Sequence, residues 1–240
     1  MHSPLLTPLG HDLDLIASTV ADDRPVPTCP DWSAHDLLEH VGGVAHFAAG
    51  CLRAGDGADA PSRPSAPPGT DPADWVRDGH RALLAAFADL DDDALRPSFV
   101  GPRTAQWWAR RMAVEMALHR RDAQGVPGTG TAAGPPAPID RQVAEAGLDE
   151  YFDFVLADLM VDRTSSWTTS VHLHATDGDG EWSASWDHGE MTWAHTHDKG
   201  ELALRASTSD LLCLLWERPT DGEIELFGDQ ALLGRLRAGH

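Results

Sequence analysis

Positive charge is scarce in this 240-residue chain: 18 lysines and arginines stand against 38 aspartates and glutamates, a formal net charge of −20. That balance argues against nucleic acid and anionic membranes as partners. It also repels a free anionic substrate unless positive charge is gathered locally. Cysteine is scarce too. Cys29, Cys51 and Cys213 are odd in number and far apart, which fits neither a disulfide framework nor a zinc knuckle and suits a reducing compartment. No apolar run reaches membrane-spanning length, and Met1-His2-Ser3-Pro4 lacks the basic and apolar regions of a signal peptide. The expected location is the cytoplasm. A phosphate-binding glycine loop, a G-x-S-x-G elbow, a dinucleotide fingerprint and internal repeats are all missing, which removes support from ATP, NAD and serine-hydrolase chemistry.

What is present divides into two textures. Apolar residues at helical spacing predict helices over 9–21, 33–53, 72–90 and 104–124, with a fifth over 140–159. Ser33 with Asp36 three residues on, and Asp71 with Pro72, are helix starts. Gly125 is the expected C′ residue of the fourth helix. Segments 55–69 and 125–138, rich in Pro and Gly, are loops by composition. After Val161 the period changes to two. Val171, Leu173 and Ala175 alternate with His172 and His174, and Asp177-Gly178-Asp179-Gly180 is turn chemistry. Strands are expected near 167–175, 181–186, 191–196, 201–205 and 224–227, with helices from Thr208 or Ser209 to Trp216 and over 230–237. The expected fold class is α+β: an up-and-down helix bundle over 1–162, then a small α/β domain over 163–240.

The fourth helix carries the chemistry. Glu115 and His119 are one turn apart, so both can reach one ion. They share a stripe with Trp108, Arg111 and Asp122. An unpartnered carboxylate there would be costly to bury, and a divalent metal would remove the cost; an exposed polar seam is the plainer alternative. On the second helix His40 falls in line with Leu37, Val44, Phe47 and Cys51, whereas His35 and His46 lie on another flank. His40, Glu115 and His119 make a His₂Glu set, the ligand class of catalytic zinc sites with an open position; nickel, iron(II) or manganese would also fit. Arg96, Arg103, Arg110, Arg111, Arg120 and Arg121 crowd this region, mostly as surface charge, and Arg111 alone shares the stripe. The pairs His172/His174 and His195/His197 are expected on a solvated sheet face. Cys29 is expected as a small packed residue. Trp108 belongs to the core, with a cleft wall as the lesser alternative.

Several stretches together resemble the mycothiol-dependent maleylpyruvate isomerase family: Val26-Pro27-Thr28-Cys29-Pro30-Asp31-Trp32-Ser33 with Asp36-Leu37-Leu38-Glu39-His40, Trp107 through Ala123, Gly147-Leu148-Asp149-Glu150-Tyr151, Val171-His172-Leu173-His174, Gly180-Glu181-Trp182, and Ser209 through Arg218. The resemblance spans nearly the whole chain. It implies a DinB-like bundle binding a divalent metal, usually zinc, through His40, Glu115 and His119, followed by a small α/β domain whose Arg218 serves the reaction. It also implies mycothiol as cofactor and an actinobacterial cytosol. The implied partners are a small-molecule thiol and a small electrophilic or unsaturated acid, with the protein a monomer or dimer. At such a metal a thiol becomes a thiolate at neutral pH. In an isomerase it adds to the cis double bond of a maleylpyruvate-like keto-diacid, the bond rotates, and elimination restores the thiol. Arg218, with Arg111, would hold a substrate carboxylate. Trp108 and Asp122 would line the cofactor side, Asp122 by orienting a ligand or else as a salt-bridge partner. A mycothiol S-transferase attacking an electrophile is the first alternative, and a non-catalytic, metal-stabilised binding protein with a fourth ligand from His46 or Asp122 is the second.

Overall fold

Two compact units, residues 1–137 and 138–240, make up the computed structural model, which describes residues 3–128 and 136–238. Of the loop expected over 125–138, residues 129–135 lie outside the described residues, as do Met1 and His2.

The first unit is helical. It contains α1 (Leu6–Ile16), the short antiparallel ribbon β1 (Pro25–Val26) and β2 (Cys29–Ser33), then α2 (Ala34–Arg53) and α3 (Pro72–Phe87), a second ribbon β3 (Leu95–Arg96) and β4 (Arg103–Thr104), and α4 (Ala105–Gly125). Helix α2 packs on α3 and α1 on α4, while α1–α3 and α2–α4 contacts close the four-helix arrangement. The starts follow from local chemistry. Ser33 and Asp36 form a full capping box at α2, Asp71 accepts from the Ala73 and Asp74 amides at α3, and Thr104 accepts from the Trp107 amide at α4. Two ends differ from expectation. Helix α1 stops at Ile16 rather than 21, where the Ser18 hydroxyl donates to the Leu15 carbonyl and competes with the next turn. Gly125 is the last residue of α4 itself, and the chain leaves through Val126 in an extended conformation rather than through a left-handed glycine. Between α2 and α3 a Cβ on Gly42 would sit 2.1 Å from Trp75 Cδ1, so glycine is what lets the indole lie against the α2 backbone.

The second unit begins with α5 (Arg141–Glu150), capped by Asp140. The sequence reading puts this helix at the end of the bundle; here it is the first element of the second unit. It continues as a π-helical segment, Tyr151–Leu159, and a single turn, α6 (Val161–Thr164). The sheet then forms from β5 (Thr169–Ala175), β6 (Glu181–Asp187), β7 (Glu190–Ala194), β8 (Leu202–Ala206) and β9 (Glu225–Gly228) in the order β7-β6-β5-β8-β9, with β5 and β8 parallel and all other pairs antiparallel. Helices α7 (Thr208–Leu215) and α8 (Gln230–Leu236) complete it. One face buries Val171, Leu173, Trp182, Ala184, Trp186, Leu202 and Leu204, which is why a period of two was legible. Helix α7 is capped by Ser207 rather than Thr208 or Ser209. Thr208 instead gives its amide and hydroxyl to Asp177, and Ser209 accepts from the Ile139 amide. The motif 147–151 proves structural: Trp182 donates its indole N–H to Asp149, and the Tyr151 hydroxyl donates to the Leu236 carbonyl.

Candidate metal centre

Helices α2 and α4 bring His40, Glu115 and His119 together. Their ligand-type atoms all lie within 4.8 Å of one another. His40 Nε2 stands 3.5 Å and His119 Nε2 3.3 Å from the same oxygen, Glu115 Oε1. A tetrahedral ion with bonds of about 2.0–2.1 Å sets ligand atoms about 3.3 Å apart, so both edges that meet at Glu115 Oε1 already have the length such an ion requires, and the two imidazole nitrogens lie within 4.8 Å of each other. His40 Nε2 is buried and, among the described residues, has no well-formed hydrogen bond, only this 3.5 Å approach to Glu115, which leaves its lone pair open to an ion. The residues present therefore fit a divalent metal. His35 pairs with Glu39 and His46 stacks on Trp75, both away from the cluster, as their helical phase requires.

The surroundings tune each ligand. The other carboxylate oxygen, Glu115 Oε2, is taken by Arg111 one turn earlier. Burial alone would raise the Glu115 pKa, but Arg111 and the two imidazoles outweigh it, and the carboxyl is held well below its usual range. His119 Nδ1 lies 2.9 Å from Asp122 Oδ2, which turns Nε2 toward Glu115. Burial lowers the His119 pKa, yet the bonds to Asp122 and Glu115 win and raise it to about 9. Asp122 is fully buried and accepts from the Thr28 hydroxyl at 2.6 Å, with Cys29 Sγ at 3.8 Å. The β1–β2 ribbon thus holds the carboxylate that holds the ligand. Trp32, from the same ribbon, stacks over His119 at 5.8 Å and lies against His40 at 4.6 Å between centroids. Thr28 and Trp32 escaped the sequence reading because Thr28 lies in the turn between β1 and β2 and the burial of β2 does not alternate; only their place in the family-like stretch 26–33 marked them. Beside His40 a cleft of about 520 Å³ opens, lined by Asp31, Trp32, Asp36, Glu39 and Arg63.

The remaining candidates sit elsewhere. Trp108 is fully buried and donates its indole N–H to the Pro97 carbonyl, so it fills the core instead of walling a cleft. The arginine crowd is not surface charge throughout: Arg120 and Arg121 are buried, Arg120 pairing with Asp12 at 2.8 Å and both donating to the Ala137 carbonyl. Arg218 is buried in the second unit just after α7, its amide donating to the Cys213 carbonyl and its guanidinium to that of Trp216. Among the described residues the cluster has three members and no fourth protein ligand.

Fold and site define an α+β protein of two units, with a His₂Glu group inside a helix bundle that could hold a metal ion. The family models described as the mycothiol maleylpyruvate isomerase N-terminal domain and the MDMPI C-terminal domain match residues 6–124 and 142–235. Two crystal structures of the mycothiol-dependent maleylpyruvate isomerase share the fold. A mutant form aligns with a TM-score of 0.61 at 13% identity, and another structure with 0.60 at 15%; each alignment covers 93% of both chains. No curated protein matches. With both domains matched in order, the chain belongs to this enzyme family.

Proposed function

We propose that the protein is a mycothiol-using isomerase of a maleylpyruvate-like cis-unsaturated keto-diacid, built on a zinc-class ion held by His40, Glu115 and His119. The thiol and the substrate class are supported by family membership and by the name of the solved relatives. One observation carries the metal: two imidazole nitrogens at 3.3 and 3.5 Å from a single carboxylate oxygen, with three protein ligands and therefore an open fourth position. When bound, the ion supplies a Lewis acid that lowers the pKa of an incoming thiol. Arg111 fixes Glu115 through Oε2 so that Oε1 stays on the site. Asp122 holds His119 in the orientation that presents Nε2. Arg218 is assigned the substrate carboxylate, which its planar fork suits. The binding-protein reading loses weight because neither His46 nor Asp122 stands where a fourth ligand is needed.

A second reading, S-transfer to an uncharged electrophile, is favoured by one feature. The cleft beside His40 is lined by three carboxylates, Asp31, Asp36 and Glu39, against the single Arg63, which is poor company for a dianion. The test is calorimetric titration of mycothiol into zinc-loaded protein, with Glu115→Gln as control, followed by thiol counting during turnover. Saturable binding that releases about one proton and disappears in Glu115→Gln is expected. An isomerase leaves the thiol pool unchanged, and a transferase consumes one thiol per product. No binding to metal-loaded protein would overturn both readings.

A further inference from the structure

The sheet of the second unit carries another cluster of metal-type side chains. His172 and His174 lie on the face of β5 opposite to Val171 and Leu173, and Glu181 stands directly across from His174 on β6. His197, in the segment after β7, reaches the same carboxylate. His174 Nδ1 and His197 Nδ1 are 2.6 and 2.9 Å from Glu181 Oε1, and His172 Nε2 is hydrogen-bonded to Oε2. The four donor atoms lie within 4.8 Å of one another. A solvated polar face, as the alternation implied, does not describe this arrangement: His172 is only 6% exposed, and three imidazoles converge on a carboxylate that one protonated histidine would neutralise. The backbone also prepares the convergence. His172 and His174 are fixed by strand pairing on both sides of β5, and His195 anchors the segment bearing His197 by bonding the Glu181 carbonyl and pairing with Asp149.

We propose that His172, His174, Glu181 and His197 form a second divalent-cation site that fastens the segment after β7 onto the β5–β6 hairpin. Three imidazoles and one carboxylate suit zinc, cobalt(II) or nickel. Four protein ligands close the coordination shell, which marks a structural ion and not a catalytic one. Binding requires the imidazoles to draw back from hydrogen-bond distance to about 3.3 Å from Glu181 and to offer lone pairs in place of N–H groups. Two of them have room to do so, since the His174 and His197 side chains are 32% and 73% exposed. A cavity of about 490 Å³ bordered by His172, His197, Asp198 and Glu201 opens alongside and gives an ion its way in.

The test counts zinc. Tag-free full-length protein is saturated, dialysed against a weak chelator and analysed for metal, beside Glu115→Gln and the double variant His174→Gln/His197→Gln, whose half-buried and exposed positions are expected to leave the fold intact, with circular dichroism as the check. Wild type is expected to retain two equivalents and each variant one. Retention of a single equivalent that Glu115→Gln keeps and His174→Gln/His197→Gln loses would also uphold the sheet site, while removing the bundle site. The proposal is overturned if His174→Gln/His197→Gln retains as much zinc as wild type, or if wild type retains none.

Discussion

Asp122 fixes the chemistry of His119 without facing the ligand-binding side. Its Oδ2 bonds Nδ1 of the imidazole, and Thr28 bonds its other oxygen, so ring orientation and basicity are set from behind. Replacing Asp122 by Asn is expected to weaken zinc binding 10–100-fold, the range usual for partners of a ligating histidine, with the far-ultraviolet spectrum unchanged; chelator competition measures it. The raised pKa of His119, about 9, has its own sign. Below that value the metal-free ring carries a proton that the ion must displace, so zinc affinity should climb by about one decade per pH unit from neutrality and level off above pH 9. Titration in a series of buffers checks the slope. The His₂Glu trio was legible because helical phase alone separates His40 from His35 and His46. The role of Arg111 was not. Its spacing to Glu115 was visible, but which carboxylate oxygen it takes depends on where His40 stands across the bundle.

Helices were legible where a cap and a period agree, as at Ser33 and Asp71; the Thr104 cap of α4 was found only in the structure. The ribbons β1–β2 and β3–β4 were not legible, since β1, β3 and β4 are only two residues long and the burial of β2 does not alternate. The π-helical stretch 151–159 also escaped, because its apolar run fits an α-helix equally well. Two substitutions test how these elements pack. Gly42→Ala would drive a methyl into Trp75 between α2 and α3 and is expected to destabilise by about 1–3 kcal/mol, read from urea unfolding. At the end of α7 the Arg218 amide bonds the Cys213 carbonyl and the Glu217 amide that of Leu214, a Schellman closure with exposed Glu217 at φ +56° where glycine is usual. Glu217→Gly should relieve that strain and stabilise by roughly 0.5–1 kcal/mol, and it should leave Arg218 where it is. A fall in melting temperature would show that the Glu217 side chain contributes more than its backbone costs.

On the scale of the whole molecule, charge decides what approaches. No helix among the described residues is long and apolar enough to cross a membrane, and a net charge of −20 surrounds whatever the site binds. A dianionic keto-diacid must cross that field before any arginine holds it. Screening separates the two terms. The Debye length shrinks from about 30 Å at 0.01 M to about 10 Å at 0.1 M ionic strength, which removes most of the long-range repulsion but little of a contact at hydrogen-bond distance. For a dianionic substrate kcat/KM should therefore rise several-fold over that range, whereas for an uncharged electrophile it should stay flat. If kcat/KM for the dianion falls instead, local arginines dominate the approach and steer it, and the acidic cleft beside His40 is not its entrance.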